Sequence, residues 1–319
     1  MASSELESAS AFSEEDRCLR IFLSVDISGS TAYKSKHNNF KEYEKHWARF
    51  YESFFQDFPS CFAGKVFEQF KGVRDSLQVW KCLGDEIIYE DKIGSLDDSH
   101  KLVMAFYNAI ITYDKTVRER EGKPGLRVKG TCWTAGFPIR NAKLKVPIKK
   151  SEYGSDYIGP DMDIGFRLSK ASRPERVVVS MDLADILTRQ TSPDPLAFYQ
   201  VGWEVLKGVF GDKPYPIIWV RKESEAPYFL PWEDHLCPLN KQYRKNDKTD
   251  IQDMQSQIES IRKELPELEL FPPYFDPASM PQPHQDIWDK WLRDRRKNEE
   301  VYLEQGEEPA QAPIPPPSG

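Results

Sequence analysis

Hydrophobic and polar positions divide the first two thirds of the chain into strand-like and helix-like segments. Residues 18 to 27 are apolar and rich in β-branched and aromatic types, which predicts a buried strand. In "NNFKEYEKHWARFYESFFQDF", Phe40, Tyr43, Trp47, Phe50, Tyr51, Phe54 and Phe55 recur at helical spacing. Such a stripe predicts a helix whose aromatic face joins the core, in preference to a platform for an aromatic ligand. "SLQVWKCLGDEIIYE", residues 76 to 90, predicts two strands around a tight turn at Leu83-Gly84, with Cys82 as packing. Leu102, Val103, Phe106, Ile110 and Val117 mark one face of a second helix, and "GLRVKGTCWTAG" predicts another strand.

Strand, helix, hairpin, helix, strand is the order of an α+β, ferredoxin-like βαββαβ core. Beyond it, "DMDIGFRLSKAS" predicts a helix, "RVVVS" a short strand and "DLADILTR" a helix. "FYQVGWEVLKG" and "YPIIWVRK" predict a closing pair of strands. The composition changes after about residue 224. Ile251, Met254, Ile258, Ile261 and Leu265 follow a short heptad, opened by a capping-box pattern from Thr249 to Gln252. That helix is too short for a free coiled coil, so it is expected to pack on the core or on a partner. "DIWDKWLRDRRKNEEVYLEQ" predicts a charged helix and "GEEPAQAPIPPPSG" a disordered tail. The expected organisation is a disordered leader over 1–16, a catalytic domain over 17–224, a two-helix extension over 225–305 and a Pro-rich tail over 306–319.

Composition narrows the function classes. The 319 residues carry a net charge of −7, against broad nucleic-acid binding. No apolar run approaches the ~20 residues that span a bilayer, and the acidic start lacks the apolar core of a signal peptide. A cytoplasmic location without membrane attachment is expected. Five cysteines, Cys18, Cys61, Cys82, Cys132 and Cys237, form no CxxC pair, which fits reduced thiols. His37, His46, His100, His235 and His284 are scattered without ligand spacing.

Chemistry concentrates in two carboxylates at turns. Asp26 ends the first strand in "IFLSVDISGSTAYK", and Asp85 follows the turn glycine of "KCLGDE". Alone, Ser30 or Thr31 is an ordinary helix cap after a strand. In a ferredoxin-like core, however, the first strand lies beside the hairpin, and the two carboxylates converge. Paired oxygen ligands suit magnesium or manganese, which retain water or phosphate oxygens. Backbone N–H groups of "SGST" at a helix start can cradle phosphate.

These residues resemble the class III adenylate and guanylate cyclases. "FLSVDISGST" and "KCLGD" resemble that family's two metal motifs, "DYIGPDMDIGFRLSKAS" (156 to 172) a third motif, and "EVLKG…YPIIWV" its closing strands, in the family's order across residues 18 to 222. The resemblance implies metal binding by Asp26, the Ile27 backbone and Asp85, with two divalent cations, Mn²⁺ or Mg²⁺. It implies phosphate binding by Ser28, Gly29, Ser30, Thr31 and Lys207, base reading by Lys81 and Asp156, and transition-state stabilisation by Arg167. Asp163 stands four residues before that arginine, where the family usually has a ribose-orienting asparagine. Without the resemblance, Lys81 reads equally as a hairpin lysine, and Arg167 as the partner of Asp163 across one helical turn.

Lysine donates and aspartate accepts, so the base readers fit adenine, cytosine or uracil. The "IGPDMDIGFRL" form, the aspartate and the long extension resemble the bacterial pyrimidine cyclases of Pycsar anti-phage defence. That implies UTP as substrate, cyclic UMP as product, a homodimer, and a separate effector protein responding to the cyclic nucleotide. Adenylate or cytidylate cyclase activity is the nearer alternative. A catalytically inactive nucleotide sensor or dimerisation module is the alternative of another class.

Overall fold

The computed structural model describes residues 17–36, 46–121, 126–149, 152–225, 248–275, 280–290 and 293. The leader, the tail, Phe40, Tyr43, Cys237, His37, His235 and the start of the extension lie outside the described residues. The first part of the chain runs β1 (Cys18–Ser28), α1 (Ser30–Lys36), α2 (His46–Phe70), β2 (Gln78–Leu83), β3 (Glu86–Ile93), α3 (Leu96–Glu121) and β4 (Arg127–Phe137). β5 (Ala142–Lys149), β6 (Glu152–Ile158), α4 (Pro160–Leu168), β7 (Val177–Val179), α5 (Met181–Thr188), β8 (Leu196–Val205), β9 (Pro214–Lys222) and α6 (Ile251–Glu264) follow.

Seven strands form one sheet in the order β2-β3-β1-β4-β7-β9-β8. Its first four strands, with α2 and α3 as connections, have the strand order of a ferredoxin-like α+β core. β1 lies between β3 and β4, antiparallel to both, which places Asp26 opposite Glu86 on one side and Lys129 on the other.

Alternation along β1 separates two layers. Ile21, Leu23, Val25 and Ile27 face the larger core with α2 and α3. Phe54, Phe58, Phe62 and Phe106 are almost completely buried there, each contributing about 1.5–3 kcal/mol of transfer free energy. The described part of the aromatic stripe is thus core, with Phe50, Tyr51 and Phe54 buried and Trp47 and Phe55 packed against them, and its helix continues beyond the expected segment to Phe70. On the opposite face Phe22 packs with Trp133, Tyr157 and Met162, and Trp80 and Phe166 lean on this second cluster. α4 crosses β4 so closely that a Cβ on Gly165 would lie 2.3 Å from the Trp133 ring, which fixes glycine at that position.

Three details depart from the sequence reading. The β5–β6 hairpin was not expected; its "AKLKVPIK" and "EYGSDYI" strands pair with each other in a separate two-stranded sheet. Its many exposed, charged positions hid the alternation that a one-sided strand shows. Cys82 is exposed on β2, the outermost strand, instead of packing. The cap of α6 is Asp250, whose side chain accepts from the backbone N–H of Gln252 and Asp253, and not Thr249. Thr249 is drawn into the core edge instead: its N–H donates to Phe198 O and its Oγ1 accepts from Gln200 N–H. α6 packs on α5, burying Met254 and Ile258.

Candidate active site

Asp26 stands on the same face of β1 as Phe22, at the end of the strand. Its carboxylate meets Lys129 Nζ at 2.9 Å across the β1–β4 pair. Asp85 lies in the turn between β2 and β3, one residue before Glu86, with Lys34 Nζ 4.0 Å away. The Ser24 hydroxyl donates to Glu86. Burial pushes the Glu86 carboxyl above the usual range and repulsion from Asp26 and Asp85 adds to it, while Ser24 and Lys129 pull it back. The Tyr51 phenol on α2 is pushed up to about 12, by burial first and then by the charge of Asp85. The strand end thus concentrates negative charge from Asp26, Asp85 and Glu86.

The chain beyond Asp26 turns sharply. Gly29 has φ +86°, in the left-handed region that glycine adopts without strain, and its carbonyl accepts from Tyr33 N–H at 3.0 Å. Ile27 is buried in the larger core, Ser30 is buried, and Thr31 is exposed.

Among the described residues no group of three or more His, Cys, Asp or Glu side chains is arranged to hold a metal. The hard-oxygen carboxylates of Asp26 and Asp85 still fit a divalent cation such as magnesium, which takes much of its shell from water and substrate phosphate.

A second pair joins distant segments. Lys81 on β2 and Asp156 on β6, 75 residues apart, form an ion pair of 2.7 Å. Lys81 Nζ also sits 3.9 Å from the Trp80 ring centroid, and Trp80 Nε1 donates to Ser155 O at 3.2 Å. Asp156 Oδ1 further accepts from Tyr157 N–H. The aspartate is thereby held from two sides while both side chains stay partly open to solvent.

The third group gathers on α4. Arg167 Nε donates to Lys207 O at 2.5 Å, and Nη1 donates to Asp163 O at 3.0 Å and Asp163 Oδ1 at 3.3 Å. Lys207 lies in the exposed turn between β8 and β9. Among the described residues, no hydrogen bond or ion pair joins Asp26 or Asp85 to Lys81, Asp156, Asp163, Arg167 or Lys207. Three local groups are thus brought together, each across a different pair of elements.

Sequence reasoning missed Lys129, Glu86, Ser24 and Trp80. Glu86 and Trp80 adjoin residues already singled out, a weak local signal. Lys129 and Ser24 meet the site only through strand register.

No protein-family model matches the chain, and no curated protein matches it. Among solved structures, the chain is similar to the adenylyl cyclase CyaB from P. aeruginosa at 14% identity, covering 67% of this chain and 97% of that one, TM-score 0.49. It is similar to the guanylyl cyclase Cya2 at 14% identity over 67% and 97%, TM-score 0.46. The guanylate cyclase domain of RhGC from Catenaria anguillulae, in complex with GTP, matches at 11% identity over 65% and 97%, TM-score 0.46. Likeness at this level says nothing of activity, and the fold rests on the strand order itself. No described helix is long and apolar enough to cross a membrane.

Proposed function

We propose that the protein is a nucleotidyl cyclase of the class III type, converting a nucleoside triphosphate into a 3′,5′-cyclic nucleotide and pyrophosphate. The observation that carries this reading is the Lys81–Asp156 pair, closed at 2.7 Å by two strands of different sheets. A donor and an acceptor side by side, half-open to solvent, form a reader for the edge of a base. The charged strand end with Asp26 and Asp85, and the Arg167–Lys207 group, supply the remaining functions of that reaction.

In this mechanism Asp26, the Ile27 carbonyl and Asp85 would hold two divalent cations. Such ions, when bound, activate the ribose 3′ hydroxyl and offset the charge of the departing pyrophosphate. The backbone N–H groups of Ser28, Gly29, Ser30 and Thr31 hold the phosphate chain, and Lys207 pairs with its terminal end. A bond forms between O3′ and the α-phosphorus, the bond from that phosphorus to the α,β-bridging oxygen breaks, that oxygen leaves with pyrophosphate, and the 3′ proton passes to water. Arg167 meets the charge that grows on the α-phosphoryl oxygens. Asp163, in place of a neutral ribose-orienting amide, holds the guanidinium by its carboxylate and carbonyl.

In this reading each site is shared by two chains, one giving the metal-holding groups and the other Arg167 and the base readers, so that a chain carrying both sets forms a homodimer with two equivalent sites. For the base, uracil can accept from Lys81 at O4 and donate its ring N–H to Asp156; UTP and cyclic UMP are favoured as substrate and product on the resemblance of "IGPDMDIGFRL", Asp163 and the long extension to the pyrimidine cyclases. The same pair admits adenine or cytosine. Cyclic UMP then acts through a separate cyclic-nucleotide-responsive effector in defence against phage, in the cytoplasm.

A second reading, a nucleotide sensor or dimerisation module without turnover, is favoured by the Lys129–Asp26 and Arg167–Asp163 ion pairs, which engage two reactive groups internally. Asp26→Ala and Asp85→Ala separate the two readings. Both variants lose metal-dependent turnover while remaining folded if the protein is a cyclase. Near-normal turnover in a folded double variant would overturn the mechanism.

A further inference from the structure

The segment after α6 bears on both elements that hold Arg167. Arg140, in the turn after β4, donates from Nη1 to Leu268 O and to Glu269 O, both at 2.9 Å. Its Nε donates to Asp161 Oδ1 at 3.1 Å, and Nη2 lies 3.1 Å from the same oxygen. Asn141 completes the grip: Nδ2 donates to Asp161 Oδ2 at 2.6 Å, and Asp161 N–H donates back to Asn141 Oδ1 at 3.2 Å. Asp161 is buried in the first turn of α4, the helix whose last turn carries Arg167. A continuous series of bonds therefore runs from the backbone at 268–269, through one guanidinium, to that helix.

A second connection reaches the other partner of Arg167. Glu267 pairs with Lys213 at 2.9 Å, and Leu268 lies so close to Gly211 that a Cβ there would meet it at 3.1 Å. Residues 206–213 form one turn, in which Gly208 N–H donates to Asp212 Oδ1 at 2.9 Å, and which offers Lys207 O to Arg167. The segment is itself anchored: Arg262 on α6 donates to Asp182 and Asp185 on α5 at 2.6 and 2.7 Å, and Tyr274 OH donates to Phe137 O at 3.3 Å.

We propose that Arg140 is a positioning residue for Arg167, bracing α4 against residues 266–269, so that the C-terminal segment belongs to the reacting unit. The proposal rests on the cyclase reading of Arg167. A lysine cannot replace this arginine, because one ammonium cannot hold two carbonyls and a carboxylate in the plane a guanidinium spans. Loss of the brace does not detach α4, which Gly165 keeps seated on Trp133. It frees the helix to shift, and misplacement of a reacting group by about 1 Å costs on the order of 10²-fold in rate.

The test compares full-length protein with Arg140→Ala, Arg140→Lys and Asp161→Asn, measuring kcat and KM with manganese and amide hydrogen exchange by mass spectrometry. Expected are a fall of kcat of about 10²-fold for Arg140→Ala, KM nearly unchanged, and incomplete recovery with lysine. Faster exchange should be confined to 161–168, 206–213 and 266–275. Unchanged kcat in Arg140→Ala beside an active native protein overturns the proposal, as does exchange that quickens throughout the chain. Should that variant not fold, Asp161→Asn, which keeps the shape of the side chain, decides by the same two measures. If the native protein has no turnover, the cyclase reading fails. The exchange pattern then decides the brace alone: confined acceleration supports it and an unchanged pattern overturns it.

Discussion

Replacing Arg167 with alanine separates catalytic from structural work at one position. A guanidinium has five N–H donors. One bonds Lys207 O and two bond Asp163, while Nη2 has no partner among the described residues. That free edge is the one available to a phosphoryl oxygen. The Arg167 and Asp163 side chains are 32% and 58% exposed, so their ion pair at one-turn spacing contributes at most about 0.3–0.5 kcal/mol to stability. A preorganised donor facing charge that grows in the transition state contributes about 2.7–4 kcal/mol, or roughly 10²–10³ in kcat. Arg167→Ala should therefore lose activity by that factor with KM little changed and the melting temperature nearly constant. Arg167→Lys should recover only part, since an ammonium cannot keep its place against Lys207 O and Asp163 while presenting two parallel donors. Cyclisation assays with manganese, beside thermal melts of the same preparations, measure both quantities. A kcat within threefold of the native value, or a loss of activity matched by a loss of stability, would refute the reasoning.

Mixing inactive Asp26→Ala chains with inactive Arg167→Ala chains should restore part of the activity, because one of the two shared sites then carries both intact groups; no rescue in proven heterodimers would contradict a shared site. Lys81→Ala and Asp156→Ala should change which triphosphate is accepted more than they change stability, since the pair is partly exposed and contributes about 1 kcal/mol or less; competition among the four triphosphates measures this, and an unchanged order of preference would count against base reading. Burial lowers the pKa of His100 and of His284, the latter also facing Arg140, so the folded state disfavours the charged form of both. The unfolded chain then binds more protons, and stability present above about pH 6.5 is lost as pH falls toward the lowered folded-state values. His284→Phe, which keeps the packing against Phe271 and Tyr274, should make the loss of stability on acidification below about pH 6.5 shallower; an identical pH dependence in urea titrations of both proteins would negate it.

The core was legible because its signals are local. β1 announces itself by unbroken apolar residues, and α2 and α3 by stripes at helical spacing that bury Phe54, Phe58 and Phe106. The βαββαβ order sets β1 beside the β2–β3 hairpin, and with it Asp26 beside the turn that carries Asp85. What escaped depends on register and on long-range closure. Lys129 faces Asp26 only because β1 and β4 pair in one register, and a shift of one residue would turn it to the other face. The β5–β6 hairpin was hidden by its charged, exposed strands, although it carries Asp156 to Lys81. Thr249 fitted a capping pattern as well as Asp250 does, and the strand edge at Phe198 and Gln200 claims it instead. Arg140 has no motif at all: its three partners lie 21 and about 128 residues away in sequence.

Incubation of the native protein with equal concentrations of ATP, GTP, CTP and UTP and manganese, with products identified by mass spectrometry, tests the central claim most directly. The expected result is 3′,5′-cyclic UMP in excess over the other cyclic nucleotides, with pyrophosphate in equal amount. Dominant cyclic AMP would reject the pyrimidine reading and keep the cyclase. No cyclic product with manganese or magnesium would contradict the account and favour a sensor.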